Sequence, residues 1–275
     1  MIFAWGIGLF FIIQLLTGYS IKSLATLGAA SAVVLLIFKD TILGFVASIQ
    51  ISVNDIVRIG DWITVNKYGA DGFVIQINLA TVRVQNWDKT FTTIPTYALI
   101  SDSFQNWRGM FESGGRRIKR SIYIKQSSIR FLTEEDLQRL SKIERVRDYI
   151  NHRQRDIDRF NKSKEIDKEL LLNGRNQTNF GVFRNYVNTY LNENSAINKE
   201  YSLMVRHLPP TDKGLPLEIY CFSRDTRWVN FEHIQADIFD HILAALPYFD
   251  LEIFESPTGK DVQSLGSYKE ENNPD

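Results

Sequence analysis

The sequence predicts a three-part chain: a membrane α-helical segment, a small β-barrel domain and an α+β domain of ferredoxin-like order. Three observations predict it. Up to Gln50 the only charged residues are Lys22, Lys39 and Asp40. From Ile56 to Asn106 short alternating runs are separated by Gly, Asn and Asp. After Ser113 the runs follow in the order strand, helix, strand, strand, helix, strand. The boundaries expected are 1–53, 54–112 and 113–266, with a charged helical insertion near 126–176 and a disordered tail at 267–275.

Composition narrows the function classes. The 275 residues carry 32 basic and 32 acidic side chains, so no net charge draws the chain to nucleic acid. The single cysteine, Cys221, excludes an intramolecular disulfide and a multi-cysteine metal site. It lies in the alternating run Leu217–Phe222, where a buried apolar role is expected.

Met1 to Leu16 is apolar apart from Gln14. It lacks the basic start and small-residue cleavage site of a signal peptide. It is short for a span, which needs about 20 apolar residues, so the expectation is a helix entered part-way, in a chain incomplete at its N-terminus. A break at Thr17–Ser20 precedes a second apolar segment, Leu24 to Phe38, rich in small residues at Gly28, Ala29, Ala30, Ser31 and Ala32. Small residues let helix backbones approach closely in lipid, so this helix is expected to pack on other helices. Lys39 and Asp40 are costly in hydrocarbon and mark the interface, with a bend there and a second helical piece from Thr41 to Val53 containing Gly44. The cationic residues after this segment place the bulk of the chain in the cytoplasm. A soluble protein with a buried helical hairpin is the alternative.

Four β-rich runs follow, at Ile63–Val65, Phe73–Ile77, Thr81–Gln85 and Thr90–Ile94, with a fifth expected near Val57–Ile59 and a hairpin turn at Asn86–Lys89. In the last domain strands are expected at Ile118–Lys125, Ser202–His207, Leu217–Phe222 and Leu251–Phe254, and helices at Phe180–Leu191 and Phe231–Leu246. The charged stretch Thr133–Lys168 shows helical spacing at Leu137, Leu140, Ile143 and Val146.

Several stretches together resemble the small-conductance mechanosensitive channel family. They are Leu27-Gly28-Ala29-Ala30, Val57-Arg58-Ile59-Gly60-Asp61-Trp62-Ile63, Gly72-Phe73-Val74, Thr81-Val82-Arg83, Thr92-Thr93-Ile94-Pro95 and Ile100 to Trp107. Asn66 to Gly72 and Ser113 to Arg120 look closest to its YbdG-like branch. The resemblance implies a homo-heptamer in the bacterial inner membrane, with the Gly/Ala-rich helix lining the pore and an Sm-like β-domain behind it. It puts the two constriction positions on Ala32 and Leu36, helix packing on Gly28 and Ala29, and the bend on Asp40 beside Lys39. Ala32 stands where the family usually has leucine, Asp40 where it has glycine, and Thr96 where it has asparagine. Independently, Leu36 lies four residues after Ala32, so both project from one helix face, and a ring of leucines can close a pore by dewetting.

Other chemistry is weakly signalled. His233, Asp237 and His241 share one helix face, but the spacing is that of the polar side of an amphipathic helix and no fourth ligand is indicated. Gly114-Gly115-Arg116-Arg117 reads as a solvated linker near anionic headgroups sooner than as an anion site. No phosphate loop or nucleophile–base set is found, so no catalytic residue, metal or cofactor is expected. The leading function is a channel opened by membrane tension that protects against hypoosmotic stress, with lipids and ions as partners and no nucleic acid. The alternatives are a non-conducting membrane scaffold or regulatory fragment, and an Sm-like RNA-binding module using Arg116 to Arg120.

Overall fold

The computed structural model describes residues 8, 11, 12, 15, 21–256 and 259. Most of the first apolar segment, the break expected at Thr17–Ser20 and the tail at 267–275 lie outside the described residues. The chain divides into two compact units, Met1–Gly109 and Met110–Asp275.

The first unit begins with helix α1, Ile21–Val53, of 33 residues. The helix runs unbroken through Lys39 and Asp40, so the two pieces expected there are one. The reason is local: lysine and aspartate cost a helix only tenths of a kcal/mol, and both side chains are exposed. From Thr26 to Val53 the helix is long and apolar enough to cross a membrane. A buried core helix is a poor description of it, because Leu36, Ile37 and Phe38 are 73%, 69% and 53% exposed.

Behind α1 stands a five-stranded antiparallel sheet of β1 (Trp62–Val65), β2 (Ala70–Ile77), β3 (Thr81–Asn86), β4 (Phe91–Pro95) and β5 (Gln105–Asn106). Its order is β4-β3-β2-β1-β5, so β4 and β5 are free edges and the expected closed barrel is an open sheet. Pro95, which lacks an N–H, ends an edge strand, where no ladder bond is lost. The fifth strand is Gln105–Asn106, paired with Thr64 and Ile63, with the short helices α2 (Ala98–Ser101) and α3 (Arg108–Ser113) before and after it, and Val57–Ile59 is not a strand. The hairpin at Asn86–Lys89 is present, with Lys89 in the left-handed region at φ 70°. Strand alternation sends Ile63, Val65, Val74, Val82, Val84 and Ile94 into one core, with Ile51 of α1 among them.

The second unit holds a three-stranded antiparallel sheet, order β6-β8-β7, from β6 (Arg116–Ile124), β7 (Met204–His207) and β8 (Leu215–Ser223). The strand expected at Leu251–Phe254 is reduced to one antiparallel bridge, Ile124↔Ile253, beside β6. With that bridge the order 4-1-3-2 of a ferredoxin-like fold is complete. Helices α6 (Asn179–Glu193) and α7 (Trp228–Ala245) supply Phe183, Leu191, Ile238 and Ile242 to the core above Ile118, Leu217 and Ile219. Cys221 is fully buried there, and burial pushes its thiol up to about 12.

Between β6 and α6 lie the inserted helices α4 (Glu134–Leu140) and α5 (Glu144–Ser163). A capping box starts α4, Thr133 and Asp136 each binding the other's backbone N–H. The chain then breaks at Ser141–Ile143, so the helical spacing from Leu137 to Val146 spans two helices, with Leu140 and Val146 buried.

One glycine in the first sheet is fixed by close approach. A Cβ at Gly72 would meet the carbonyl oxygen of Gln85 at 1.9 Å and Cα of Asn86 at 2.7 Å. Both are backbone atoms of the paired strand, so neither can rotate away. Gly72→Ala is expected to cost about 2–3 kcal/mol, read as a lower unfolding midpoint in urea followed by tryptophan fluorescence; an unchanged midpoint contradicts that packing.

Candidate functional site

The candidate site is α1 together with its attachment to the sheet, and the residues singled out from sequence divide between its two ends. Gly28, Ala29, Ala32 and Leu36 all lie on the exposed shaft of the helix. They follow each other at helical spacing along one side, and a Cβ at Gly28 would meet nothing within 4 Å. Lys39 and Asp40 are exposed beyond them. From Ile21 to Lys39 the helix rises roughly 27 Å at 1.5 Å per residue, close to the 30 Å hydrocarbon core.

Gly44 does something different from the bend role expected of it. It is buried, and a Cβ there would lie 3.1 Å from the carbonyl oxygen of Leu79 and 3.4 Å from Cα of Ala80. These residues form the turn between β2 and β3, so the missing side chain lets the helix backbone rest on that turn. Ala47 and Ile51 continue the contact at i+3 and i+7 and are 3% and 2% exposed. Burying Ile51 contributes about 2–3 kcal/mol.

Where α1 ends, a polar lock takes over. Asp55 turns the chain with φ 52° and accepts from Arg58 at both carboxylate oxygens, Nε to Oδ1 at 2.6 Å. Asp61, 8% exposed, accepts from Arg108 Nη2 at 2.5 Å, Arg108 Nε at 3.0 Å, Asn106 Nδ2 at 3.0 Å and the backbone N–H of Arg58 at 2.8 Å. Arg108 also donates to Asp55 Oδ2 at 3.0 Å, and Asn106 to the carbonyl of Ile56 at 3.0 Å. Burial works to raise the pKa of Asp61, but the donors from Arg108, Arg58 and Asn106 outweigh it and hold the group below its ordinary value. Asp55 is held down first by Arg58. The lock therefore ties the end of α1 to the start of β1 and the end of β5.

An aromatic group sits beside the lock. Trp62 stacks on Trp107 at 4.5 Å and meets Trp87 edge-on at 5.1 Å. Asp71 accepts from the Trp62 indole at 2.7 Å and from Thr64 at 2.9 Å, and the Trp107 indole donates to Thr64 at 2.9 Å.

The remaining sequence candidates are occupied by packing. His241 hydrogen-bonds the Tyr186 hydroxyl at 2.8 Å and stacks on Tyr190 at 4.0 Å. Arg116 and Arg120 lie over the rings of Phe231 and Phe239 at 4.3 and 5.1 Å. Sequence reasoning missed the attachment stripe and the lock. The stripe had a signal, Gly44-Ala47-Ile51 at i, i+3 and i+7; the lock had none, because Asp61 and Arg108 stand 47 residues apart.

Comparison with known proteins defines the class. Residues 40–109 match the family described as mechanosensitive ion channel, beta-domain, a segment that holds the attachment stripe, the sheet and the lock. The small-conductance mechanosensitive channel MscMJ of Methanocaldococcus jannaschii is 34% identical over 90 residues, 32% of this chain and 25% of that protein. An uncharacterized MscS family protein of Helicobacter pylori is 29% identical over 126 residues, 44% of this chain and 20% of that protein. These matches thus span a quarter or less of the relatives' lengths. Among solved structures, Arabidopsis thaliana MSL1 covers 92% of this chain and 74% of its own, with TM-score 0.60 and 13% identity. The closed-state Helicobacter pylori MscS covers 86% and 72%, with TM-score 0.54 and 14% identity; at such identities the likeness is one of fold. The chain thus carries, at residues 40–109, a segment matching the beta-domain of mechanosensitive ion channels, and it is similar in sequence and in fold to MscS-family proteins.

The lock carries a pH signature. Asp61 and Asp55 have folded pKa values below their unfolded ones, so their stabilisation is present above about pH 4 and is lost as pH falls below the ordinary carboxylate range. Asp61→Asn leaves Arg108 facing a neutral amide and is expected to cost about 2–3 kcal/mol near pH 7. The difference from the parent should shrink as the pH falls toward 3. Urea denaturation at both pH values checks this; an equal difference at both contradicts it.

Proposed function

We propose that this chain is part of an ion-channel subunit opened by membrane tension, in which several copies of α1 surround a central axis. The supporting observation is the exposed shaft from Gly28 to Phe38, apolar apart from Ser31, joined without a break to the β-domain of a mechanosensitive family. An apolar helix of this length needs either lipid or other helices around it. Its small-residue side at Gly28 and Ala29 suits close approach of neighbouring copies. Ala32 and Leu36 lie on that same side and face the axis, where a narrow apolar ring keeps water and ions out. Lys39 and Asp40 sit at the interface, where their charges remain solvated.

Tension favours whichever arrangement occupies more membrane area, so opening is a population shift. Relief of hypoosmotic stress follows as the physiological role. The same reading takes a homo-heptamer in a bacterial inner membrane with the second unit in the cytoplasm, and lipids and ions as its partners. The YbdG-like branch rests on the wording of Asn66–Gly72 and Ser113–Arg120. RNA binding is disfavoured by the engagement of Arg116 and Arg120 with aromatic rings. The relatives' names, all of channels or channel-family proteins, favour no enzymatic role.

Patch-clamp of the full-length protein under suction tests the proposal. A tension-dependent conductance is expected, and Leu36→Ser is expected to leak without tension and to slow growth. No conductance under any sub-lytic tension contradicts the channel reading, and an unchanged resting leak in Leu36→Ser removes Leu36 as the seal.

A further inference from the structure

The turns at the two ends of β3 differ in charge, and the uncharged one rests on α1. The turn from β2 to β3 lies in the run Ile75-Gln76-Ile77-Asn78-Leu79-Ala80-Thr81-Val82, which holds no ionisable side chain. At the other end of β3 the hairpin Asn86–Lys89 carries Asp88 and Lys89, both exposed.

Leu79 is 62% exposed in the uncharged turn, yet the backbone around it is fixed. The N–H of Asn78 donates to the carbonyl of Thr81 at 2.8 Å. Thr96, fully buried, donates its N–H to the carbonyl of Ala80 at 2.9 Å and its hydroxyl to that of Asn78 at 3.1 Å. These bonds brace the turn and satisfy backbone groups that are costly to leave unmatched where water is scarce.

The place of this turn along α1 identifies what it meets. It rests on Gly44, where a Cβ would lie 3.1 Å from the Leu79 carbonyl oxygen. Gly44 falls within Thr26–Val53, the stretch long and apolar enough to cross a membrane, and stands five residues after Lys39. Five residues rise about 7.5 Å, and the headgroup layer is about 5–7 Å deep on each side of the hydrocarbon. With Lys39 and Asp40 at the hydrocarbon edge, the turn is level with the headgroups. Phe45, Val46 and Ile49 in the same stretch of helix are exposed too. A lone aliphatic side chain with no charge beside it offers a protein partner little to fix a register, whereas lipid requires none.

We propose that the β2–β3 turn is a membrane contact of the β-domain, with Leu79 inserted at the boundary of headgroups and acyl chains, an inference that rests on the reading of α1 as a membrane span. Through this contact the β-domain follows the membrane surface directly as well as through the helix.

The test uses the full-length protein in phosphatidylcholine vesicles, labelled with the environment-sensitive fluorophore NBD at Leu79→Cys, Lys89→Cys or Val34→Cys. Cys221, the one native cysteine, is fully buried and does not compete for label. Emission is compared with and without a nitroxide carried on the lipid headgroup. The Leu79→Cys label is expected to emit further to the blue than the Lys89→Cys label and to be quenched, while the Lys89→Cys label is not. The Val34→Cys label, read with a nitroxide deep on the acyl chain, reports the span separately. Quenching at Val34 with none at Leu79 overturns the contact and leaves the span standing. A blue shift at Leu79 without quenching also overturns it and puts protein there instead of lipid. Equal quenching at Leu79 and Lys89 overturns it as well, because the turn is then no nearer the bilayer than the opposite hairpin. No quenching at Val34 removes the span, and the contact falls with it.

Discussion

The first unit depends on the contact of one glycine with one turn. Gly44 lets the backbone of α1 settle on Leu79 and Ala80, and from that distance Ile51 reaches the sheet's core. Immediately beyond, the Asp55–Arg58–Asp61–Arg108 lock closes the joint with charge-assisted bonds. The apolar contact supplies most of the stabilisation, while the lock supplies direction. A pair such as Asp61–Arg108 is roughly neutral against an apolar replacement but costly to break from one side. Its place at the helix terminus fixes how the chain leaves α1 and enters β1.

The consequence is a helix with two kinds of surface. Its last third is attached to a sheet, and its described side chains from Leu27 to Phe38 are exposed. Because the hydrogen-bonded helix is continuous, a displacement of the shaft is carried to the attachment instead of being absorbed at Lys39–Asp40. In a channel of the kind proposed, that continuity couples the membrane-embedded part to the β-domain. The unbroken helix also leaves Lys39 and Asp40 as interfacial charges on a straight run, with no hinge needed to bring them to water.

Much of this was legible in the sequence, and the failures have physical reasons. Strand alternation from Ile63 to Ile94 and the run order after Ser113 are local signals, and each gave an element close to its observed bounds. Sheet closure is a contact between chain ends that no local period encodes, and β4 and β5 stay apart. Gln105–Asn106 became a strand through pairing with β1, against a polar composition that argued otherwise. Lys39–Asp40 suggested a break because their cost was reckoned in lipid, whereas helix propensity ignores the membrane. Gly44 was noticed for its flexibility when its use is its lack of a side chain. The lock joins residues far apart in sequence, so only the fold brings it together.

The claim that matters most is that the exposed shaft of α1 is shared between copies of the subunit. Cys221 is buried, so a cysteine placed on the shaft is free of a competing surface thiol from that residue. Oxidative cross-linking of Ala32→Cys in native membranes is the direct measurement. The account predicts covalent dimers in high yield from the full-length protein. A product that stays monomeric, with the new thiol reacting only with lipid-soluble reagents, contradicts it.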